Sequence, residues 1–177
     1  MPATPDARWT QFQEPTEPGL VKGSIVSFDG LERVAASWPE ILPAELDHGT
    51  ASLLRTARSL FVHAWFDYEF LAIACLTALQ AVEAAVRDLY PEASKVPFAR
   101  LVQRARTQGV LSEAMADLAD TAVELRNLVA HPEQLVAFSP GMAESVLENS
   151  HRLVAVLAAS LRERDDRHKQ PPLQSDE

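Results

Sequence analysis

The chain has 177 residues, which is enough for one domain with a hydrophobic core and rather short for two. Hydrophobic residues make up 47% of it and charged residues 23%, a composition that excludes a disordered chain. The formal net charge of -9 opposes broad electrostatic adhesion to nucleic acid, since that affinity comes from clustered Lys and Arg, so any such contact must be local.

The sequence lacks the usual signals for membranes, secretion and redox chemistry. No stretch of about eighteen apolar residues is uninterrupted, and the N-terminal MPATPDARW has no apolar core of a signal peptide. We therefore expect a cytoplasmic protein without a membrane segment. Cys75 is the single cysteine, so an internal disulfide is excluded. It lies in the apolar run FLAIACLTAL, which predicts a buried, reduced thiol.

Residues 1–48 differ in character from the rest of the chain. They contain six prolines and no sustained helical period, which predicts an extended or loosely ordered arm, with a short strand possible at VKGSIVSF. The aromatic residues Trp9, Phe12 and Trp38 indicate that this arm docks on an apolar surface. That surface is either the protein's own core or a partner.

From Thr50 onward, apolar residues return at intervals of three and four, the period of an amphipathic helix. Asp67 is a suitable N-cap for a second helix, because one uncapped helix of some forty residues is improbable in a small domain. The second predicted helix, roughly 68–90, is apolar nearly all round, which is typical of a central buried helix.

Three further helices follow from their boundary residues. Pro97 opens a third that ends at Gly109, Ser112 caps a fourth that Pro132 stops, and Ser139 with Pro140 starts the last. The sequence thus predicts an all-α protein, an up-and-down helical bundle of four long helices plus a shorter one over residues 49–165. A polar tail is expected at 166–177.

The fourth predicted helix ends in VELRNLVAHPEQ. Arg126 and His131 would fall on different faces of a regular helix, but His131 precedes proline and is biased out of helical geometry. It can therefore turn back toward Arg126. Asn127 stands four residues before His131, the spacing that places two side chains one helical turn apart.

These residue types suit chemistry on a phosphodiester. Arginine offers a planar fork of donors for phosphate oxygens, and histidine exchanges protons near neutral pH. With Asn127 orienting a neighbour, Arg126 and His131 could bind a phosphodiester and move a proton from a ribose 2′-hydroxyl without a metal. DNA lacks that hydroxyl, so RNA is the expected substrate, and we expect no cofactor.

The Arg-Asn-x-x-x-His signature near the end of a long helix resembles the HEPN superfamily, and ALQAVEAAVRDLY looks like that family's second helix. The resemblance covers roughly Leu53 to Leu161. It implies a homodimeric endoribonuclease whose active site lies in the cleft between the protomers and whose products carry 2′,3′-cyclic phosphate ends. By this resemblance, Arg126 would hold the phosphate, His131 would act as general acid or base, and Asn127 would support them. It also implies a toxin or effector role, since many HEPN proteins are paired with a small nucleotidyltransferase that restrains them.

Other interpretations of the same residues stay open. Arg126 and His131 can simply bond the last free carbonyls of a helix, in a noncatalytic HEPN-like module that binds a protein or a nucleotide-like ligand. The acidic charge also allows an inhibitor that neutralises a basic partner. Glu83, on the second predicted helix, pairs either with Arg87, with a residue across the bundle, or with Arg126, which it would then orient.

Two further groups of residues are weaker candidates. His63 and Asp67 are four apart and could share a metal, but a satisfied histidine is the more common outcome for two ligands without a third. A locally basic strip on the third predicted helix and its approach could guide RNA or could be an ordinary solvated helix face. This strip consists of Lys95, Arg100, Arg104 and Arg106.

Overall fold

The computed structural model describes residues 4–12, 27–129 and 138–169, with the side chains of 10–12, 129 and 167–169 left out, and the statements below concern this part of the chain. Its secondary structure is helical, without a strand, which confirms the all-α prediction. The α-helices are α1 (Phe28–Ser37), α2 (His48–His63), α3 (Phe70–Leu89), α4 (Phe98–Thr107), α5 (Glu113–Val129) and α6 (Pro140–Lys169). Three short 3-10 helices cover Ala7–Phe12, Trp38–Ile41 and Pro91–Ala93.

Short polar residues and glycine set several helix boundaries, as the sequence predicts. The hydroxyls of Ser112 and Ser139 accept bonds from backbone amides three residues on, at 3.4 and 3.3 Å, at the starts of α5 and α6. After α4, Gly109 has φ +70°, a left-handed conformation that glycine adopts without steric cost.

The predicted break between the first two long helices is confirmed, with a small shift. Residues 64–69 form a turn between α2 and α3. The Asp67 carbonyl accepts from the amide of Phe70 at 3.0 Å, and its carboxylate accepts from the amide of Glu69 at 3.1 Å. The N-cap is Glu69 rather than Asp67, because Asp67 stabilises the turn before the helix instead of the first helical turn.

Helix α3 lies at the centre of the fold, packed against α2, α6, α5 and α4. Cys75 is fully buried on it, as expected, and burial raises the pKa of this thiol well above its ordinary value. The Tyr68 hydroxyl donates to the carbonyl of Phe138 at 3.0 Å, while Arg164 donates to the carbonyl of Leu89. The N-terminal ends of α3 and α6 therefore lie together, as do their C-terminal ends, so these two helices run in the same direction.

One helix in the described residues, α3, is long and apolar enough to cross a membrane by length and composition alone. The core helix of a globular protein meets the same criterion. Here 56% of the apolar stretch is buried inside the protein.

The prediction of an extended arm over residues 1–48 is wrong for residues 28–41, which form α1 and a 3-10 helix. Ser27 caps α1 by accepting from the amide of Gly30 at 3.1 Å, and Leu31, Ala35 and Trp38 recur at helical spacing on its buried side. The prolines mislead because they flank this helix rather than interrupt it. Residues 21–26 of the possible strand VKGSIVSF lie outside the described part of the chain. Its last residue, Phe28, is the first residue of α1.

The aromatic residues of this N-terminal segment pack into the protein's own core, one of the two predicted outcomes. Trp9 is fully buried against Trp65 and Tyr68, and its indole N–H donates to the carbonyl of Ala64 at 2.7 Å. Trp38 is buried against Phe61 of α2. The side chain of Phe12 lies outside the described part.

Helix α6 continues to Lys169, four residues into the predicted polar tail. The residues after Leu161 are charged, and the contact of Arg164 with Leu89 anchors this end of the helix to α3. Residues 170–177 lie outside the described structure.

Candidate functional site

The candidate site is built around Glu83 of α3, whose carboxylate contacts two arginines. Its Oε1 lies 2.7 Å from Nη2 of Arg87, one turn later on the same helix, and its Oε2 lies 3.2 Å from Nε of Arg126 on α5. The side chain of Glu83 is only 15% exposed. The pairing of Glu83 with Arg87 and its pairing with Arg126, which the sequence leaves open as alternatives, therefore occur together.

The two arginines are held to different degrees. Arg87 also donates to the carbonyls of Ser94 and Val96, at 3.2 and 3.3 Å, so its guanidinium is fixed on several sides. Nε of Arg126 lies within ion-pair distance of Glu83 but makes no hydrogen bond, so this contact is an ion pair. Glu83 thus joins a fixed arginine to one whose terminal nitrogens make no hydrogen bond to any described residue.

The side chain of Arg126 is partly exposed within the described structure. The side chain is 38% exposed, whereas its Nε is buried. Within the described residues no second carboxylate comes within ion-pair distance of it. Its two terminal nitrogens therefore offer donors that could meet the oxygens of a phosphate.

The other two predicted site residues are placed less completely. Asn127 is exposed beside Arg126, in the last turn of the described part of α5. His131 lies outside the described residues, as does Pro132, so its separation from Arg126 stays a prediction.

Two of the four residues of the predicted basic strip form ion pairs. Arg104 contacts Glu92 at 2.8 Å, and Arg106 contacts Asp117 and Asp120 of α5 at 2.6 and 2.9 Å. These pairs link α4 to its neighbours and cancel much of its charge. The contacts favour the solvated helix face over a path that guides RNA.

The described residues contain no group of three or more His, Cys, Asp or Glu side chains that could hold a metal. His63 instead bonds the carbonyl of Ser59 through Nδ1 at 2.7 Å. Its ring nitrogen thus has a partner within its own helix, which is the outcome that the sequence favours over a metal site shared with Asp67. His48 and His151 likewise join no such group.

An apolar groove between α5 and α6 was not expected from the sequence. Its volume is about 530 Å³, and Leu79 of α3, Leu125 of α5 and Val146 of α6 lie along it. Exposed Met142 adds a flexible apolar side chain to its lining. The helical periods of α5 and α6 show which residues face inward, but not that these two helices leave space between them.

Sequence reasoning also missed a buried polar contact around His151 of α6, a fully buried side chain. Its Nδ1 bonds the carbonyl of Leu147 at 2.7 Å, its Nε2 lies 3.2 Å from Nη1 of Arg58, and its ring packs on Trp38. The protonated Nδ1 leaves Nε2 to accept from Arg58, so the ring is neutral. Burial, and then the charge of Arg58, lower the pKa of His151 to about 4 despite the opposing Leu147 bond.

No protein-family model matches the chain, and comparisons with curated proteins and with solved structures likewise found no match.

Proposed function

We propose that this protein is a metal-independent endoribonuclease of the HEPN type. The observation that carries the proposal is the ion pair between Glu83 and Arg126, which holds one arginine near the end of α5; its terminal nitrogens make no hydrogen bond to the residues that the structure describes. Arg126 then holds the scissile phosphate, His131 acts as general acid or base, and Asn127 supports them. The fold that accompanies this function is the up-and-down bundle of four long helices.

The proposed reaction is a transesterification within the RNA. His131 accepts the proton of the ribose 2′-hydroxyl, whose oxygen then attacks the adjacent phosphorus. The bond from phosphorus to the 5′-oxygen breaks, and that oxygen takes up a proton as it leaves. Arg126 neutralises the charge that develops on the phosphoryl oxygens. The products carry a 2′,3′-cyclic phosphate and a 5′-hydroxyl.

A homodimer completes this proposal. Arg126 and His131 of two protomers would line one cleft, so that one histidine serves as base and the other as acid. The biological setting that fits is a cytoplasmic toxin or effector restrained by a nucleotidyltransferase-like antitoxin. DNA is not a substrate in this scheme, because it lacks the attacking hydroxyl.

The test is cleavage of single-stranded RNA by the purified protein in EDTA. Wild type should cut, whereas Arg126→Ala and His131→Ala should lose at least a hundredfold in rate while keeping their helical circular dichroism and thermal midpoint. Asn127→Ala should lose less. Equal rates for wild type and the Arg126 and His131 variants would refute the proposal.

The groove between α5 and α6 favours a second candidate, the noncatalytic module that binds a protein partner. Its apolar lining with exposed Met142 suits an apolar helix of the partner. In that case Ser145→Trp, a substitution at an exposed groove position, should prevent binding of the proposed nucleotidyltransferase-like partner. RNA would then stay uncut by every variant.

A further inference from the structure

A second pocket lies between α2 and the segment formed by α1 and the 3-10 helix that follows it. It is shallow and open, with a volume of about 470 Å³. Ala35, Ala36, Pro39 and Val62 supply an apolar wall. Two arginines of α2, Arg55 and Arg58, line the same pocket, so that cationic and apolar surfaces meet there.

Among the described residues, no carboxylate lies within ion-pair distance of either arginine. Six other arginines form ion pairs with carboxylates, namely Arg8, Arg87, Arg104, Arg106, Arg126 and Arg152. Arg58 is half-buried, and burial followed by the charge of Arg55 lowers its pKa. Holding two like charges near each other without a counter-ion opposes folding, and a bound anion would relieve that cost.

The arginines also retain most of their hydrogen-bond donors. A guanidinium has five N–H groups. Among the described residues, Arg55 donates one to the hydroxyl of Ser52, and Arg58 makes one contact with Nε2 of His151, each at 3.2 Å. The remaining donors are available, and Ser59 adds a hydroxyl to the pocket lining.

We propose that this pocket binds a phosphate monoester with a small apolar body, the phosphoryl group on Arg55 and Arg58 and the body against the alanine and proline wall. Two guanidinium charges match a dianion, and forked donors match phosphoryl oxygens. Glu32 also lines the pocket, and its carboxylate weakens the binding that the arginines provide. The site is independent of the proposed RNA cutting, because it shares no residue with the region around Arg126.

Phenyl phosphate is the probe, titrated into the full chain at about pH 7.5 and constant ionic strength, with calorimetry and NMR as readouts. Phenyl phosphate should bind about fivefold more tightly than inorganic phosphate, because its ring covers the apolar wall. It should also bind about fivefold more tightly than diphenyl phosphate, because diphenyl phosphate is only a monoanion. Arg55→Gln should weaken binding about tenfold. Glu32→Gln should strengthen it about twofold, since a repelling charge is removed.

Arg162→Gln is the matched control, because it removes an equal charge from an exposed arginine that does not line the pocket. Its affinity should stay within twofold of wild type. Arg58→Gln can disturb the packing around His151, so Arg55→Gln decides the result, and the ring signals of His151 should shift on binding to the wild type. Three results would overturn the proposal: no saturable binding, equal affinity in Arg55→Gln, or equal affinity for diphenyl phosphate.

Discussion

At the scale of single residues, Glu83 decides how the candidate site is arranged. Its two carboxylate oxygens contact different arginines, Arg87 on one side and Arg126 on the other. Because Glu83 is 15% exposed, these charges interact through a medium less polar than water. Glu83 is therefore a positioning residue for Arg126 in the proposed reaction.

Replacing Glu83 separates this role from a simple contribution to stability. Glu83→Gln should lower the RNA cleavage rate about tenfold, since Arg126 loses the charge that holds it, and Glu83→Asp should recover part of that rate. Arg87→Gln is the control, because it breaks the other half of the cluster without touching Arg126. If Arg87→Gln slows cleavage as much as Glu83→Gln does, the separate positioning role of Glu83 toward Arg126 is refuted.

His151 makes a prediction about pH. Its folded pKa of about 4 lies below the ordinary 6.5, so the unfolded chain takes up a proton first as the pH falls. The stability that depends on neutral His151 is complete above pH 6.5 and is lost as the pH falls toward 4, by about 3 kcal/mol. Urea unfolding at several pH values measures this loss.

The matched variants make that measurement specific. His151→Gln keeps a polar side chain beside Arg58 but cannot take up the proton, so its stability should change less between pH 6.5 and pH 4. His48→Gln, which removes an exposed imidazole, should follow the wild type. Parallel pH profiles for wild type and His151→Gln would show that His151 is not the group responsible.

At the scale of secondary structure elements, α1 and its 3-10 helix belong to the domain rather than to an arm. Trp38 is 1% exposed between Phe61 of α2 and His151 of α6, so it joins this segment to two of the long helices. A large buried aromatic side chain contributes several kcal/mol of packing and burial. The domain thus begins before residue 49.

Trp38→Ala should therefore lower the free energy of unfolding by about 3–5 kcal/mol. Ile73→Ala, at an apolar position that is 46% exposed, should lower it by less than about 1 kcal/mol. Denaturant unfolding followed by circular dichroism compares the two. Similar small losses for both variants would mean that the N-terminal segment does not contribute to the core.

The elements also show what the sequence can and cannot predict. Ser112, Ser139 and Gly109 predict their boundaries because each acts through bonds or dihedral angles within a few residues. Helix α1 was missed because flanking prolines outweighed a short apolar period. The pairing of Glu83 with two arginines, and the groove between α5 and α6, depend on how distant helices pack, which local patterns do not encode.

At the scale of the whole molecule, the charge distribution limits where an anion can bind. The chain carries 25 acidic and 16 basic residues, and many of the described arginines are neutralised by carboxylates. Within the described part of the chain, Arg126 and the pair Arg55 and Arg58 are cationic positions with donors that make no hydrogen bond. Binding of RNA or of a phosphate monoester is accordingly expected to be local, as the net charge of -9 requires.

The most direct test of the central claim uses one RNA in two forms. An RNA oligonucleotide is first mapped for its cleavage position with the wild-type protein in EDTA, and a single 2′-deoxyribose is then placed on the 5′ side of that position. The intact RNA should yield a 2′,3′-cyclic phosphate and a 5′-hydroxyl, and the substituted RNA should stay uncut there, because the attacking hydroxyl is missing. Cleavage of the substituted RNA at the same bond, or products without the cyclic phosphate, would contradict the proposed function.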